Sequence, residues 1–179
     1  MLILASVSPR RRELLKKITP HFEVIPSNVD ESGMYVEASS YPRELSKLKA
    51  YSIYSTHPND TILACDTVVI LHGKILEKPK SEEQAKEMLR MLSGNKHVVI
   101  SGYTFISPKK EITRTVRTYV YFNKLSEELI DAYVKSGSPM DKAGAYGIQD
   151  KEFNLVDHIE GSLDNVIGLP TEDIKEHCF

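Results

Sequence analysis

Acids and bases whose placement in the chain is costly mark the places where chemistry is concentrated. Asp66 lies inside Ile62-Leu63-Ala64-Cys65-Asp66-Thr67-Val68-Val69-Ile70, where a buried, unpaired carboxylate would cost several kcal/mol or more. Such a carboxylate needs a metal, a cation or an opening to solvent; a strand-end carboxylate capped by backbone donors is the competing reading. Arg10, Arg11 and Arg12 follow Ser6-Val7-Ser8-Pro9 and fall in the first turns of a helix, where cations oppose the positive end of the dipole. An anion reverses that sign. Serine hydroxyls, free helical N–H groups and guanidinium forks together make a phosphate cradle. Three basic residues in a row cannot all point the same way, so a solvated helix face is the alternative.

Asp141-Lys142-Ala143-Gly144-Ala145-Tyr146-Gly147-Ile148-Gln149 combines small residues with glycines. It either admits a ligand close to the backbone, with Lys142 and Gln149 as polar readers, or forms a tight structural turn. Lys49 and Lys78 are individually uninformative, because lysines are mostly solvated. The histidines at 21, 57, 72, 97, 158 and 177 show no metal-ligand spacing, and no nucleophile elbow points to a triad hydrolase. Cys65, in its apolar run, reads as an inert core thiol.

The elements that must position these residues can be read from periodicity and caps. Leu2 to Ala5 reads as a buried strand leading through a turn into a helix with Ser8 at its N-cap and Pro9 at N1. Phe22 to Ile25 reads as a second short strand. Pro26 to Ser40, with Asp30, Glu31 and Glu37, has no clear period and reads as a mobile loop able to close over a bound substrate. From Pro42 a helix carries Lys49, and Thr61 to Leu71 reads as a central strand buried on both faces. Ser81-Glu82-Glu83-Gln84 is a capping-box pattern opening a helix that Ser93-Gly94 stops. His97 to Ile106 and Thr113 to Phe122 form a predicted hairpin around Ser107 to Lys110. Ser126 caps a further helix ending near Gly137, Phe153 to Ile159 is a predicted strand, and Pro170 opens a last short helix. This mixture of elements predicts an α/β or α+β fold with a mixed sheet.

The whole chain has 179 residues, 41% hydrophobic and 27% charged, enough for an ordinary globular core. Its length fits one domain, or two small lobes around a cleft. A net charge of −2 gives no global attraction to nucleic acid or anionic membrane, so neither is an expected partner. Apolar stretches fall far short of the roughly 20 residues that span a bilayer, and the N-terminus lacks the pattern of a secretory signal. Two cysteines, Cys65 and Cys178, make no disulfide framework, which points to a reducing cytoplasm.

Taken in order, Ser6 to Leu15, Ala64 to Val69, Glu77-Lys78-Pro79, Leu92-Ser93-Gly94 before His97, Asp141 to Gln149, and Gly161-Ser162 with Asn165 to Pro170 resemble the Maf family of nucleoside triphosphate pyrophosphatases, the septum-formation-inhibitor-like proteins. The resemblance runs over nearly the whole chain and treats residues 1–179 as one domain. It implies a mixed α/β fold similar to inosine triphosphate pyrophosphatases, with two lobes around a cleft and a homodimer as the usual assembly. It also implies cleavage of a nucleoside triphosphate between its α and β phosphates, with a divalent metal, Mg²⁺ or alternatively Mn²⁺. Asp66-Thr67 and Gly147-Ile148-Gln149 match the branch acting on dTTP and UTP, a house-cleaning activity linked to arrest of cell division. By resemblance Asp66 is the proton acceptor, while Arg10, Thr67 and Gln149 are tied to substrate choice. Glu31, Lys49 and Lys78 match further polar positions, and Arg11 matches the second motif arginine. Cys65 and Leu163 depart from the family pattern, which usually has alanine and an aromatic residue there.

Within that frame Ser8, Arg10, Arg11, Lys49, Thr67 and Gln149 would bind substrate, and Asp66, Glu31 and Lys78 would carry catalysis. Asp66 and Glu31 would hold the metal, and Asp66 would also orient or deprotonate a water for in-line attack at the α-phosphorus. A carboxylate bound to metal is a poor base, so the two jobs can be divided between them. The rival readings are a nucleotide-binding regulator of septation without turnover, and a pyrophosphatase for modified nucleotides such as 7-methyl-GTP or pseudouridine triphosphate.

Overall fold

The computed structural model describes residues 1–179. The fold is mixed α/β, with a seven-stranded mixed sheet in the order β2 (Glu23–Val24), β1 (Leu2–Leu4), β3 (Thr61–Leu71), β5 (Lys96–Ile106), β6 (Glu111–Phe122), β7 (Val156–Glu160), with β4 (Lys74–Leu76) paired to β3. The chain groups into two compact units, one of Met1–Thr67, Ile100–Val116 and Asp164–Phe179, the other of Val68–Val99 and Arg117–Leu163.

In the first unit, β1 (Leu2–Leu4) pairs in parallel with β2 (Glu23–Val24) and with β3 (Thr61–Leu71), setting Ile3 against Ile62 and Leu4 against Leu63. Side chains alternate across a strand, so successive residues serve opposite faces. Leu4, Leu63 and Cys65 join Leu14 and Leu15 of α1 (Pro9–Leu15) and Ile174 and Cys178 of α6 (Thr171–Cys178) in one core cluster. Ile3, Ala5, Ile62 and Ala64 join Ala50 and Ile53 of α2 (Tyr41–Tyr54) in another. The approach of α2 is close. A Cβ on Gly102 would stand 2.2 Å from the Arg43 nitrogen, so β5 (Lys96–Ile106) admits no side chain there.

A tight turn joins β5 to β6 (Glu111–Phe122), with the backbone of Lys109 and Lys110 donating to the Ser107 hydroxyl. α5 (Leu163–Ile167) carries Asp164, whose carboxylate accepts from Lys17 at 2.8 Å and from the Thr171 hydroxyl, and whose backbone carbonyl takes the N–H groups of Gly168 and Leu169.

In the second unit, Val69 to Leu71 fold back onto β4 (Lys74–Leu76) through His72 and Gly73, both at positive φ, the geometry of a two-residue hairpin turn. α3 (Glu82–Leu92) and α4 (Glu127–Lys135) are capped by Ser81 and Ser126 and joined by the ion pairs Arg90–Glu127 and Lys86–Asp131. The capping box closes in a shifted form, because the Gln84 side chain accepts from the Lys80 N–H rather than from that of Ser81. The end of β6 pairs antiparallel with β7 (Val156–Glu160).

The predicted strand from Phe153 begins three residues late. Lys151–Phe153 form a 3-10 turn and Asn154 is left-handed at φ 49°, which breaks extension until Val156. Pro26 to Glu37 contains no regular element, and a 3-10 turn covers Ala38–Ser40. No helix is long and apolar enough to cross a membrane.

Candidate active site

The Ser8 hydroxyl accepts from the Arg11 N–H at 3.3 Å and caps α1, while the Ser8 N–H donates to the Ser6 hydroxyl. α1 has seven residues, too short for its dipole to dominate, so attraction for an anion comes from the guanidinium groups. Arg10 is half-buried and Arg12 exposed. Arg11 is held firmly: its Nε donates to the Gly168 carbonyl at 2.7 Å and its Nη2 to the Thr67 hydroxyl at 3.1 Å. Thr67 in turn lies 2.7 Å from the hydroxyl of Ser101, a fully buried serine of β5.

The neighbour of Thr67 on β3 is Asp66, whose side chain is 16% exposed and meets Lys49 of α2 at 3.3 Å. The costly carboxylate of the apolar strand therefore has its cation. Burial pushes the Asp66 carboxyl above its ordinary range, and the charges of Lys49 and Arg11 offset only part of that. Glu31, also felt electrostatically by Asp66, is exposed and accepts from the Tyr41 hydroxyl at 2.8 Å. No cluster of three or more His, Cys, Asp or Glu side chains could cage a metal. Asp66 with Glu31 matches instead the sparse set used for Mg²⁺, which takes one or two carboxylates and completes its shell with water and substrate phosphates.

Lys78 and Gln149 belong to the second unit. Both are exposed and neither side chain has a partner, which leaves the Gln149 amide its full set of donors and acceptors. The backbone beneath Gln149 is fixed. The Gly144 N–H donates to the Glu77 carbonyl at 3.2 Å, tying this segment to Glu77-Lys78-Pro79. Gly144 is left-handed at φ 73°, and a Cβ there would meet Val69 at 3.0 Å. The hydroxyl of buried Tyr133 accepts from the Gly147 N–H at 2.9 Å and donates to Asp150 at 2.6 Å. Tyr146 meets His97 at 2.7 Å. Lys142, expected as a reader, spends its ammonium on Ser138 and Asp141.

Sequence reasoning missed Ser101, the Gly168 carbonyl, Tyr133 and Tyr146. A serine or tyrosine inside an apolar pattern carries no signal of its partner, and a backbone carbonyl carries none at all.

A mixed α/β chain that sets a paired, nearly buried carboxylate beside a braced arginine is built to handle an anion and to move a proton next to it. The chain belongs to the Maf family: the family model described as Maf-like protein matches residues 1–178. It is 48% identical over 172 residues to a dTTP/UTP pyrophosphatase of Thermococcus onnurineus, covering 96% of this chain and 93% of the relative. It is 46% identical over 170 residues to a dTTP/UTP pyrophosphatase of Bacillus mycoides, covering 94% and 89%. Among solved structures, the Staphylococcus aureus Ham1 protein superposes with a TM-score of 0.49 at 18% identity, covering 70% of this chain and 72% of that one.

Proposed function

We propose that this chain is a nucleoside triphosphate pyrophosphatase that hydrolyses dTTP and UTP to the nucleoside monophosphate and pyrophosphate. The observation that carries the reading is Asp66, held in an apolar strand at 3.3 Å from Lys49 and one residue from the Thr67–Arg11 contact. The dTTP/UTP pyrophosphatases of Thermococcus onnurineus and Bacillus mycoides, similar over nearly full length, support it.

In this reading Arg10, Arg11, Lys49 and Lys78 neutralise the triphosphate, with Ser8 at the turn that carries the arginines. Asp66 takes a proton from the water that attacks the α-phosphorus, a task helped by a carboxyl raised above its ordinary range. Gln149 offers one donor and one acceptor, which suits the O4 and N3–H edge shared by thymine and uracil. Asp66 and Glu31 would hold Mg²⁺, with Mn²⁺ as a substitute; when bound, the ion supplies charge neutralisation for the phosphates and the leaving pyrophosphate. Removal of divalent metal with EDTA abolishes turnover on this reading, and Mg²⁺ restores it. We further propose that the protein works in the cytoplasm as a homodimer, in nucleotide house-cleaning coupled to arrest of septum formation, without nucleic-acid or membrane partners.

Pyrophosphate release from a panel of canonical and modified nucleoside triphosphates with Mg²⁺ tests the proposal, with Asp66→Asn run beside the native protein. Turnover of dTTP and UTP is expected, falling on the order of 10²- to 10⁴-fold in the variant while nucleotide binding survives. Equal loss of binding and turnover would make Asp66 chiefly a metal ligand. Absence of turnover with any nucleotide would remove the enzymatic reading.

A further inference from the structure

The Thr67 hydroxyl has more neighbours than a base-reading group could spare. It lies 3.1 Å from Arg11 Nη2, 2.7 Å from the Ser101 hydroxyl and 3.3 Å from the Gly168 carbonyl. A hydroxyl has one proton and two lone pairs, a guanidinium can only donate and a carbonyl can only accept. One arrangement satisfies every contact. Thr67 accepts from Arg11, gives its proton to Gly168 and fills its second lone pair with the proton of Ser101. Gly168 receives a second strong bond from Arg11 Nε at 2.7 Å, and the Cys65 thiol stands 3.6 Å from the same carbonyl.

We infer that Ser101 and Thr67 are positioning residues that, together with the Gly168 carbonyl, lock the Arg11 guanidinium in the orientation from which it binds phosphate. This rests on the pyrophosphatase reading. With Nε and one Nη2 proton committed inside the protein, the remaining N–H groups lie on Nη1 and Nη2, the fork that meets two phosphate oxygens at once. A fork braced in advance loses little freedom on binding, so the bracing is read out as affinity for the polyphosphate. Ser101 is fully buried and cannot touch a substrate; its influence reaches one only through Thr67 and Arg11. Thr67 then acts on the phosphates through Arg11 rather than on the base.

The test uses the full chain with Ser101→Ala, Thr67→Val, Thr67→Ser and the Ser101→Ala/Thr67→Val double variant. Steady-state kinetics on dTTP and UTP are read alongside calorimetric binding of inorganic pyrophosphate with Mg²⁺. Ser101→Ala is expected to lower kcat/KM about tenfold for both nucleotides by the same factor, and to weaken pyrophosphate binding by a similar factor. Thr67→Val, nearly isosteric but without the hydroxyl, should lose at least as much, while Thr67→Ser returns close to native behaviour. The double variant should be no worse than Thr67→Val, because both changes interrupt one chain of bonds. Native-like kinetics and pyrophosphate binding in Ser101→Ala overturn the inference, as does a changed dTTP:UTP ratio with pyrophosphate binding unaltered.

If native protein turns over neither nucleotide, the pyrophosphatase reading fails by itself. Pyrophosphate binding then still decides the bracing of Arg11: a tenfold difference upholds it and equal binding overturns it. Should Ser101→Ala not fold, the contrast between Thr67→Val and Thr67→Ser decides in the same way.

Discussion

Gly168 shows how much a single residue can contribute without a side chain. Its carbonyl takes both Arg11 and Thr67, and it does so from φ 140°, a conformation that strains any residue with a Cβ. A methyl group at Gly168 would have room, since the nearest atom is Arg11 Cγ at 3.8 Å. The dihedral angle is therefore the obstacle. Gly168→Ala is expected to cost about 1–3 kcal/mol in urea unfolding and to lower kcat/KM by turning the carbonyl away from Arg11. An alanine variant with native stability and activity would show that the angle is tolerated. At this scale the sequence is legible where a residue contradicts its surroundings: Asp66 stands out because a charge interrupts an apolar run. Lys49 stands out only through family resemblance, since a lysine on a helix looks the same whether it faces solvent or a carboxylate. The role of Gly168 exists only once tertiary structure has brought its carbonyl to Arg11.

Among the elements, those with strong local signals are where periodicity and caps put them. Thr61–Leu71 is the predicted strand to the residue, and α3 runs between its serine cap and its glycine stop. β4, with three residues, and α5, with five, went unread because each is too short to show a period. The link from β5 to the glycine-rich segment was also invisible, and it carries a pH dependence. His97 is 3% exposed, bonds Tyr146 through Nε2, and leaves Nδ1 buried with no partner. Burial lowers its pKa to about 4, while in the unfolded chain it titrates near about 6.5. Between these values the unfolded chain holds a proton that the folded chain does not. The contribution of a neutral His97 is thus complete above about pH 6.5 and falls as pH drops toward 4, by on the order of 3 kcal/mol. Urea unfolding across this window, native against His97→Gln, should show the native protein losing stability more steeply with acid. Parallel curves would mean that the buried imidazole accepts its proton without penalty.

At the scale of the whole molecule, the two units are interleaved along the chain: the first draws on three stretches and the second on two. No local pattern in a sequence reports this. The run from Thr61 to Leu71 reads as one strand, yet it is divided after Thr67, and within its first part Leu63 and Cys65 line one core while Ile62 and Ala64 line another. The C-terminal stretch Asp164–Phe179, whose last residue lies 113 positions beyond Asp66, belongs with the N-terminal strand for the same reason. Leu169 and Ile174 are fully buried beside Leu4 and Leu15, and Asp173 accepts from Arg114 at 2.7 and 3.2 Å and from the hydroxyl of buried Tyr103 at 2.6 Å. These groups hold the Asp173 carboxyl below its usual range although burial alone would raise it. Deleting residues 164–179 removes several buried apolar side chains, worth about 1.5–3 kcal/mol each, and leaves the Tyr103 hydroxyl without its acceptor. Against a total stability of about 5–15 kcal/mol, the shortened chain 1–163 should lose its cooperative urea transition. Ile174→Ala separates a lost side chain from a lost segment: it should keep a single transition, displaced by about 2–5 kcal/mol. A shortened chain that still unfolds in one sharp step would mean that the first unit closes its core without its last stretch, and the assignment of Asp164–Phe179 to that unit would fall.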